Sequence, residues 1–317
     1  MRSFRSPKFK SAILIFEEQV KKNPKKIAVD FGEEKITYEE LNKRANKLAS
    51  ILVGSLNKTQ QKIYVLLDKK RKLDSVIILL GILKSGNIFV PINLQLPPRI
   101  IKNYFRKIKP DFIITQKKYF DFLKKINKDI NISNILTIES LDYDITIQFK
   151  EEKKIKENLR NKNNKYVYIY FTSGSVGSPK AVLGTAFALS YFIKLRIEKN
   201  FYLLKENFLI GLPLSFYSPA FPHIVIPTLC VGATLCLAED DNLLLNMPKF
   251  IEWLENKRIT CLRFLPVSLF WYFVESLEDK NELKNLEYLM VSGGQLRNDK
   301  YLKKFFDKTD SRIKLIN

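Results

Sequence analysis

The sequence predicts an α/β fold in which mostly parallel sheets are flanked by helices. The first observation is the alternation of short apolar segments with longer amphipathic segments along the chain, which is typical of doubly wound sheets. The second is length, because 317 residues suffice for one large α/β domain or for two smaller domains. The third is composition: 46% hydrophobic and 27% charged residues exclude a disordered chain or a small disulfide scaffold.

The first half of the chain carries four predicted helices and four predicted strands. Apolar side chains at helical spacing predict helices over residues 12–21, 38–52, 73–83 and 99–108. Short apolar runs predict strands over residues 27–31, 62–67, 88–92 and 112–115, with a turn at 32–34. Thr37 and Glu40 have the spacing of a capping box at the start of the second helix. Gly86 is expected to end the third helix.

The second half continues the alternation after a charged, asparagine-rich segment over residues 150–165. Strands are predicted over residues 166–171, 208–214, 234–237, 260–264 and 288–291, and helices over 187–199, 247–257 and 268–276. The charged segment is expected to be an exposed connection. It either joins two units, residues 1–150 and 166–317, or forms a long loop inside one domain.

Charge and cysteine content limit the partners and the compartment. Lys and Arg number 54 against 33 Asp and Glu, a net charge of +21. The excess is spread along the chain without a basic stripe, so a nucleic-acid partner is not expected. No signal peptide and no apolar stretch of ~20 residues is apparent, so we predict a cytoplasmic protein with no membrane partner. Cys230, Cys236 and Cys261 fit no zinc spacing and are expected to be buried thiols.

A loop rich in serine and glycine follows the predicted strand over residues 166–171. It contains Thr172, Ser173, Gly174, Ser175 and Gly177 and ends at Lys180. Glycines let backbone amides approach an anion, hydroxyls add donors, and a lysine can neutralise a phosphate. The pattern is not a Walker A loop. Read from its residues alone, the segment is either an ordinary turn or a phosphate-binding loop.

The loop resembles the phosphate-binding signature of the adenylate-forming, or AMP-binding, superfamily. Residues 15–29, 36–49 and 82–92 look like the opening and the first two core motifs of nonribosomal peptide synthetase adenylation domains. Residues 211–213 and 231–236 look like the stretch around the carboxylate pocket of that family. The segment over 292–295, which contains Gly293, Gly294 and Gln295, resembles the segment that packs against adenine. The resemblance covers nearly the whole chain in the family's order.

The resemblance implies that a carboxylic acid is activated by ATP as an acyl-adenylate, with release of pyrophosphate. The loop over residues 172–180 would hold the phosphates, magnesium would neutralise the leaving group, and 293–295 would lie beside adenine. Phe216, Pro219 and His223 are the residues that would contact the substrate acid. His223, the only histidine, and Phe264 are otherwise explained as structural residues of the core. No residue is assigned a catalytic or metal-binding role.

Several positions depart from the family pattern. Val176 stands where a small polar residue is usual, Ala181 where Gly is common, and Gln295 where Glu is frequent. Pro219 falls where amino-acid-activating members keep an Asp for the substrate ammonium. The segment over residues 215–222 contains no acidic residue to replace it. The resemblance therefore implies a carboxylic acid substrate and leaves recognition of an α-amino acid in doubt.

The chain resembles only the first part of the family's large domain. Residues 312–317 look like the strand that leads to the family's Tyr-Gly-x-Thr-Glu motif. That motif, the ribose-binding Asp and the small C-terminal domain would follow. Three expectations arise: a fragment that works with a separate C-terminal half, an inactive remnant, or a non-catalytic binding module of the same fold. A carrier protein is a further partner that the resemblance implies.

Overall fold

The computed structural model describes residues 10–56, 58–126, 134–140, 155, 165–172, 179–198, 204–240, 242–278, 282–296, 300–309 and 311–317. Residues 173–178, which form most of the predicted phosphate loop, and most of the charged segment over 150–165 lie outside the described residues. The helices are α1 Ala12–Lys22, α2 Tyr38–Ser55, α3 Lys72–Lys84, α4 Pro98–Lys107, α5 Phe120–Ile126, α6 Ala186–Glu198, α7 Phe221–Cys230, α8 Met247–Asn256, α9 Val267–Ser276 and α10 Lys300–Lys308.

The strands alternate with these helices as the sequence predicts. They are β1 Ile27–Phe31, β2 Glu34–Thr37, β3 Lys62–Leu66, β4 Ile88–Pro91, β5 Phe112–Thr115, β6 Ile135–Thr137, β7 Tyr166–Thr172, β8 Lys180–Thr185, β9 Leu209–Leu212, β10 Thr234–Leu237, β11 Cys261–Pro266, β12 Tyr288–Ser292 and β13 Lys314–Ile316. Each predicted helix and strand is present, with small differences at its ends.

The strands form two sheets, each mostly parallel. One sheet has the order β13-β12-β11-β9-β10-β1-β2, and the other has the order β6-β5-β3-β4-β7-β8. Only β2 and β8, at one edge of each sheet, run antiparallel to their neighbours among the described strands. The prediction of mostly parallel sheets flanked by helices is thereby confirmed. Each sheet takes strands from both sides of residue 150, and the subdivision into 1–150 and 166–317 stays a prediction.

Local sequence signals account for the ends of the second and third helices. The Thr37 hydroxyl accepts a hydrogen bond from the Glu40 amide at 3.2 Å, which caps α2 as predicted. The Glu40 carboxylate accepts a hydrogen bond from Arg44 Nε at 2.7 Å, one turn further along the same helix. Gly86 has a φ of 79° just beyond α3, a conformation that glycine adopts without a steric penalty.

Buried polar contacts join the two sheets. The Tyr170 hydroxyl, on β7, donates to the Phe216 carbonyl at 3.1 Å, in the connection between β9 and α7. The Tyr217 hydroxyl donates to the Leu67 carbonyl, just beyond β3. The Lys72 ammonium, fully buried at the start of α3, donates to the Ala238 carbonyl at 2.5 Å. These contacts fix β7 and α3 relative to the seven-stranded sheet.

Six elements are absent from the sequence-based prediction: β2, α5, β6, α7, β8 and α10. Helix α7 contains Pro222 and Pro227, which argue against a helix locally. Pro222 lies in the first turn, where no amide hydrogen is needed, and burial of nearly the whole helix outweighs the cost of Pro227. The predicted turn at 32–34 is shorter in the structure, because Glu34 already belongs to β2.

The three cysteines are buried and have free thiols, as the sequence predicts. Burial raises the pKa of Cys236 to about 12, so its thiol stays protonated at neutral pH. None of the described helices has the length and the apolar character needed to cross a bilayer.

Candidate functional site

A cavity of about 430 Å³ lies where the two sheets approach each other. Its wall combines residues of β7 and β8 from one sheet with residues of β11 and β12 from the other. Helix α6 and the first turn of α7 complete it. The described lining residues are Tyr168, Tyr170, Thr172, Val182, Phe192, Pro219, Ala220, His223, Ile224, Arg263, Phe264, Met290 and Ser292.

The carboxyl ends of parallel strands meet at this cavity. Thr172 is the last residue of β7, and Ser292 is the last residue of β12. Ligands of open α/β sheets bind outside the carboxyl ends of the strands, because loops and helix starts converge there. Both hydroxyls therefore lie at the edge where a nucleotide and its substrate are expected to meet.

Tyr168 and His223 form a polar pair on the cavity wall. The Tyr168 hydroxyl and His223 Nε2 are 2.6 Å apart, within hydrogen-bonding distance. The rings of Tyr168 and Phe192 both contact the imidazole edge-on, with centroids 5.5 and 5.4 Å away. Burial raises the pKa of Tyr168, so its hydroxyl is neutral at physiological pH. The imidazole thus contacts two aromatic rings, and its Nε2 shares a hydrogen bond with the Tyr168 hydroxyl.

Gly184 makes room for the Tyr168 ring. The two residues are paired across β7 and β8. A Cβ atom on Gly184 would lie 2.0 Å from Tyr168 Cζ, far inside van der Waals contact. The ring therefore lies flat over the glycine, and this position directs its hydroxyl to His223.

Arg263 brings a positive charge to the cavity. It lies on β11, within an otherwise apolar run, and only 4% of its surface is exposed. A guanidinium is charged at every physiological pH, and its planar fork matches a carboxylate or a phosphate. None of the described lining residues is acidic.

The structure brings several predicted site residues together. Thr172, Pro219 and His223 line the cavity. Lys180 is exposed at the start of β8 and is paired with Thr172, so it stands at the same edge. Ser173, Gly174, Ser175 and Gly177 lie between these two residues and outside the described residues. The Lys107 ammonium donates to the Pro179 carbonyl at 2.5 Å, which anchors the returning chain.

Gly293, Gly294 and Gln295 follow Ser292 and are exposed. Gly293 has a φ of 91°, and a Cβ atom there would meet no atom within 4 Å, so the surface above it is open. The Asn317 side-chain amide donates to the Gly294 carbonyl at 3.0 Å. The segment therefore forms an open, hydrogen-bonded turn next to the cavity.

Phe216 does not line the cavity among the described residues. Its ring is fully buried, 4.1 Å from the Tyr217 ring centroid, and its carbonyl accepts the hydrogen bond from Tyr170. Burial raises the pKa of Tyr170 well above its usual value, so this hydroxyl remains a donor. Phe216 thus supports the cavity wall through Tyr170.

Sequence reasoning missed most of the cavity wall. Tyr168, Tyr170 and Thr172 alternate along β7 and share one face, which the spacing of a strand could have shown. Arg263 is the one charged residue in the run over 261–266, and such an isolated charge in a buried strand is a functional signal. Met290 and Ser292 have no comparable local signal, because only the tertiary fold brings β12 to the cavity.

The cavity does not by itself form a magnesium site. The described side-chain oxygens on its wall are the hydroxyls of Tyr168, Tyr170, Thr172 and Ser292, and Mg²⁺ sites in proteins are built around carboxylates. No group of three His, Cys, Asp or Glu residues that could hold a metal occurs in the described part of the chain. Thr172 and Lys180, in contrast, offer a hydroxyl and an ammonium suited to phosphate oxygens.

Two mostly parallel sheets with a cavity at their strand ends define the large N-terminal domain of adenylate-forming enzymes. The chain belongs to the AMP-binding enzyme family, whose profile matches residues 16–316.

The chain is similar to curated synthases of Bacillus species. Zwittermicin A synthase ZmaJ of Bacillus cereus is 28% identical over 288 residues, covering 89% of this chain and 51% of that protein. Bacitracin synthase 2 of Bacillus licheniformis is 27% identical over 308 residues, covering 96% of this chain and 11% of that protein. The chain thus spans about half the length of the first relative and about a tenth of the second.

Solved structures share the fold at low identity. The nonribosomal peptide synthetase FmoA3, in a form bound to alpha-methyl-L-serine-AMP, has a TM-score of 0.79 at 17% identity. The match covers 99% of this chain and 33% of that chain. VinN in complex with L-aspartate has a TM-score of 0.72 at 16% identity, covering 97% of this chain and 76% of that chain.

Proposed function

We propose that the chain takes part in ATP-dependent activation of a carboxylic acid. A carboxylate oxygen of the acid attacks the α-phosphorus of ATP. The bond to the bridging oxygen breaks, and acyl-adenylate and pyrophosphate are formed. The observation that carries this proposal is the cavity at the joined strand ends, with Thr172 and Ser292 at its edge and Lys180 beside it. Membership of the AMP-binding enzyme family supports the reaction class.

We assign the residues to the following roles in this reaction. Thr172, Lys180 and the connection between them, with Ser173, Gly174, Ser175 and Gly177, bind the phosphates of ATP. Gly293, Gly294 and Gln295 offer an open surface for the adenine ring. Pro219 and His223 contact the acid inside the cavity. In such a reaction the protein contributes positioning and stabilisation of charge, since the bond changes involve only acid and nucleotide.

Magnesium, a carrier protein and a cytoplasmic location complete the proposal. Magnesium would neutralise the pyrophosphate leaving group when bound. A carrier protein that receives the acyl group is supported by the family relationship to peptide synthetases. The use of ATP and the three free thiols favour the cytoplasm.

The reaction is tested by exchange of labelled pyrophosphate into ATP. The purified chain is assayed with magnesium and a panel of amino, hydroxy, aryl and fatty acids. A second series adds a separately produced C-terminal portion of an adenylation domain. Exchange that depends on one acid, in either series, would support the proposal. Binding of ATP without exchange in both series would instead favour a non-catalytic binding module or an inactive remnant.

Replacing Lys180 with alanine is expected to weaken ATP binding by about 10- to 100-fold. The reason is the loss of a charge-assisted contact worth ~1.5–3 kcal/mol. Isothermal titration of the chain with ATP measures the effect. Lys21→Ala is the matched control, because Lys21 is exposed at the end of α1 next to the Lys22–Glu206 ion pair, at the amino ends of the strands. Equal affinities for both variants would remove Lys180 from the site.

A further inference from the structure

We propose that the cavity selects an acid that carries a second anionic group, and that Arg263 binds that group. The inference rests on the proposed function, because it identifies which acid the same cavity accepts. It depends on three features of the cavity: its depth, the sign of its charge and its aromatic wall.

The depth of the cavity separates Arg263 from the edge where activation occurs. Pro266 is paired with Ser292, at the ends of β11 and β12, and Arg263 lies three residues earlier. Strand β11 carries one extra residue here, because the three steps from Leu262 to Leu265 pair with two steps from Leu289 to Val291. At ~3.3 Å per residue, the Arg263 backbone therefore lies about 7–10 Å below the edge. Tyr168 lies four residues before Thr172 on β7, about 13 Å away by the same measure. An acid whose reacting carboxylate is at the edge therefore points its other end toward Arg263.

The sign of the charge at the inner end decides what that other end is. The guanidinium of Arg263 is permanently positive and almost fully buried, so its field acts in a region of low dielectric. No acidic side chain occurs among the described lining residues, and Pro219 adds none. A positive charge there favours an anionic group of the substrate over an ammonium, and a carboxylate matches the planar shape of a guanidinium.

The walls between the two ends are largely aromatic. Tyr168, Tyr170, Phe192 and Phe264 line the cavity, and a volume of about 430 Å³ is at the small end for a ligand pocket. These walls suit a short or flat apolar segment between two anionic groups. A short aliphatic or aryl dicarboxylic acid meets all three requirements.

Direct binding of matched acids tests the inference. Glutarate is compared with butyrate and with L-glutamate, and terephthalate with benzoate, by isothermal titration at about physiological salt. ATP is left out, so the result does not depend on adenylate formation. Both dicarboxylates are expected to bind about 10-fold or more tightly than their monocarboxylate partners. Glutarate is also expected to bind more tightly than L-glutamate.

Variants assign the preference to Arg263. Arg263→Met is expected to bring each ratio close to one, while Arg263→Lys keeps the charge and part of the preference. Arg312→Met is the control for the charge of the whole chain, because Arg312 is exposed at the amino end of β13. It removes the same charge and is expected to keep the wild-type ratios.

Two binding results would overturn the inference. One is equal binding of dicarboxylates and monocarboxylates by the wild-type chain, and the other is a preference that Arg263→Met leaves unchanged. If Arg263→Met does not fold, the wild-type ratios and those of Arg263→Lys decide. If monocarboxylic acids support the exchange of pyrophosphate into ATP and dicarboxylic acids do not, the inference is refuted and the proposed function stands. Arg263-dependent binding without exchange in either exchange series would refute the proposed function.

Discussion

Glu17→Gln is expected to lower the free energy of unfolding by about 3 kcal/mol. Glu17, on α1, forms an ion pair with the Lys84 ammonium at the end of α3, and the Lys84 side chain is fully buried. The ammonium also lies 5.7 Å from the centroid of the Phe16 ring. Removing the carboxylate leaves a buried charge without its counter-ion, which costs more than the pair itself contributes. Chemical denaturation at neutral pH measures the loss.

The same variant is expected to show a steeper dependence of stability on pH. Burial lowers the pKa of Lys84 below its ordinary 10.5, and the Glu17 carboxylate partly offsets this effect. Between the folded and unfolded pKa values the unfolded chain binds more protons, so stability rises with pH. Glu17→Gln lowers the folded pKa further and widens this window. The deficit of the variant should therefore shrink between about pH 7 and about pH 10.

The neighbouring residue provides the control. Glu18 is exposed and forms a surface ion pair with Lys10, so Glu18→Gln should cost less than about 0.5 kcal/mol. The double variant Glu17→Gln/Lys84→Met should recover most of the stability, since it removes both charges. Similar losses for Glu17→Gln and Glu18→Gln would show that the buried ion pair does not hold α1 against α3.

Gly184→Ala is expected to disrupt the cavity and to lower the free energy of unfolding by about 1–3 kcal/mol. The new methyl group would occupy the position of the Tyr168 ring, 2.0 Å from Cζ. The ring must move, and the 2.6 Å contact between its hydroxyl and His223 Nε2 is lost. Denaturation measures the stability. Titration with glutarate measures the effect on the cavity. The affinity for glutarate should fall by about 10-fold or more, which corresponds to a loss of ~1.4 kcal/mol of binding free energy.

Two variants separate packing from the hydrogen bond. Gly294→Ala is the control for stability, because its methyl group would meet nothing closer than 3.7 Å, at Val267 Cβ. Tyr168→Phe keeps the ring and removes only the hydroxyl, so it should cost less stability than Gly184→Ala. Wild-type stability and glutarate affinity in Gly184→Ala would mean that the ring position is not what shapes the cavity.

Most of the framework could be predicted from the sequence, because its signals are local. Apolar runs marked the parallel strands, the Thr37 hydroxyl marked the start of α2, and Gly86 marked the end of α3. Helix α7 could not be predicted, since its two prolines are compensated only by burial against other elements. Strand β8 could not be predicted for a related reason. It is defined by its antiparallel pairing with β7 and not by a pattern in its own residues.

The residues of the site also fall into a predictable group and an unpredictable group. Thr172, Lys180 and the glycine pair at 293–294 belong to contiguous motifs, so a resemblance could find them. The cavity wall comes from six separate elements, and no local pattern joins Tyr168, His223 and Arg263. Arg263 carries a local signal of its own, because it is the one charged residue in a buried strand.

We propose that an acyl-adenylate forms at the edge of the cavity, between Thr172 and Ser292. A crystal structure of the chain with a hydrolysis-resistant acyl-sulfamoyl adenosine tests this proposal. We expect the sulfamate beside Thr172 and Lys180, the adenine ring on Gly293 and Gly294, and the acyl group inside the cavity. Binding of the analogue away from these strand ends, or an empty cavity with the analogue in excess, would contradict it.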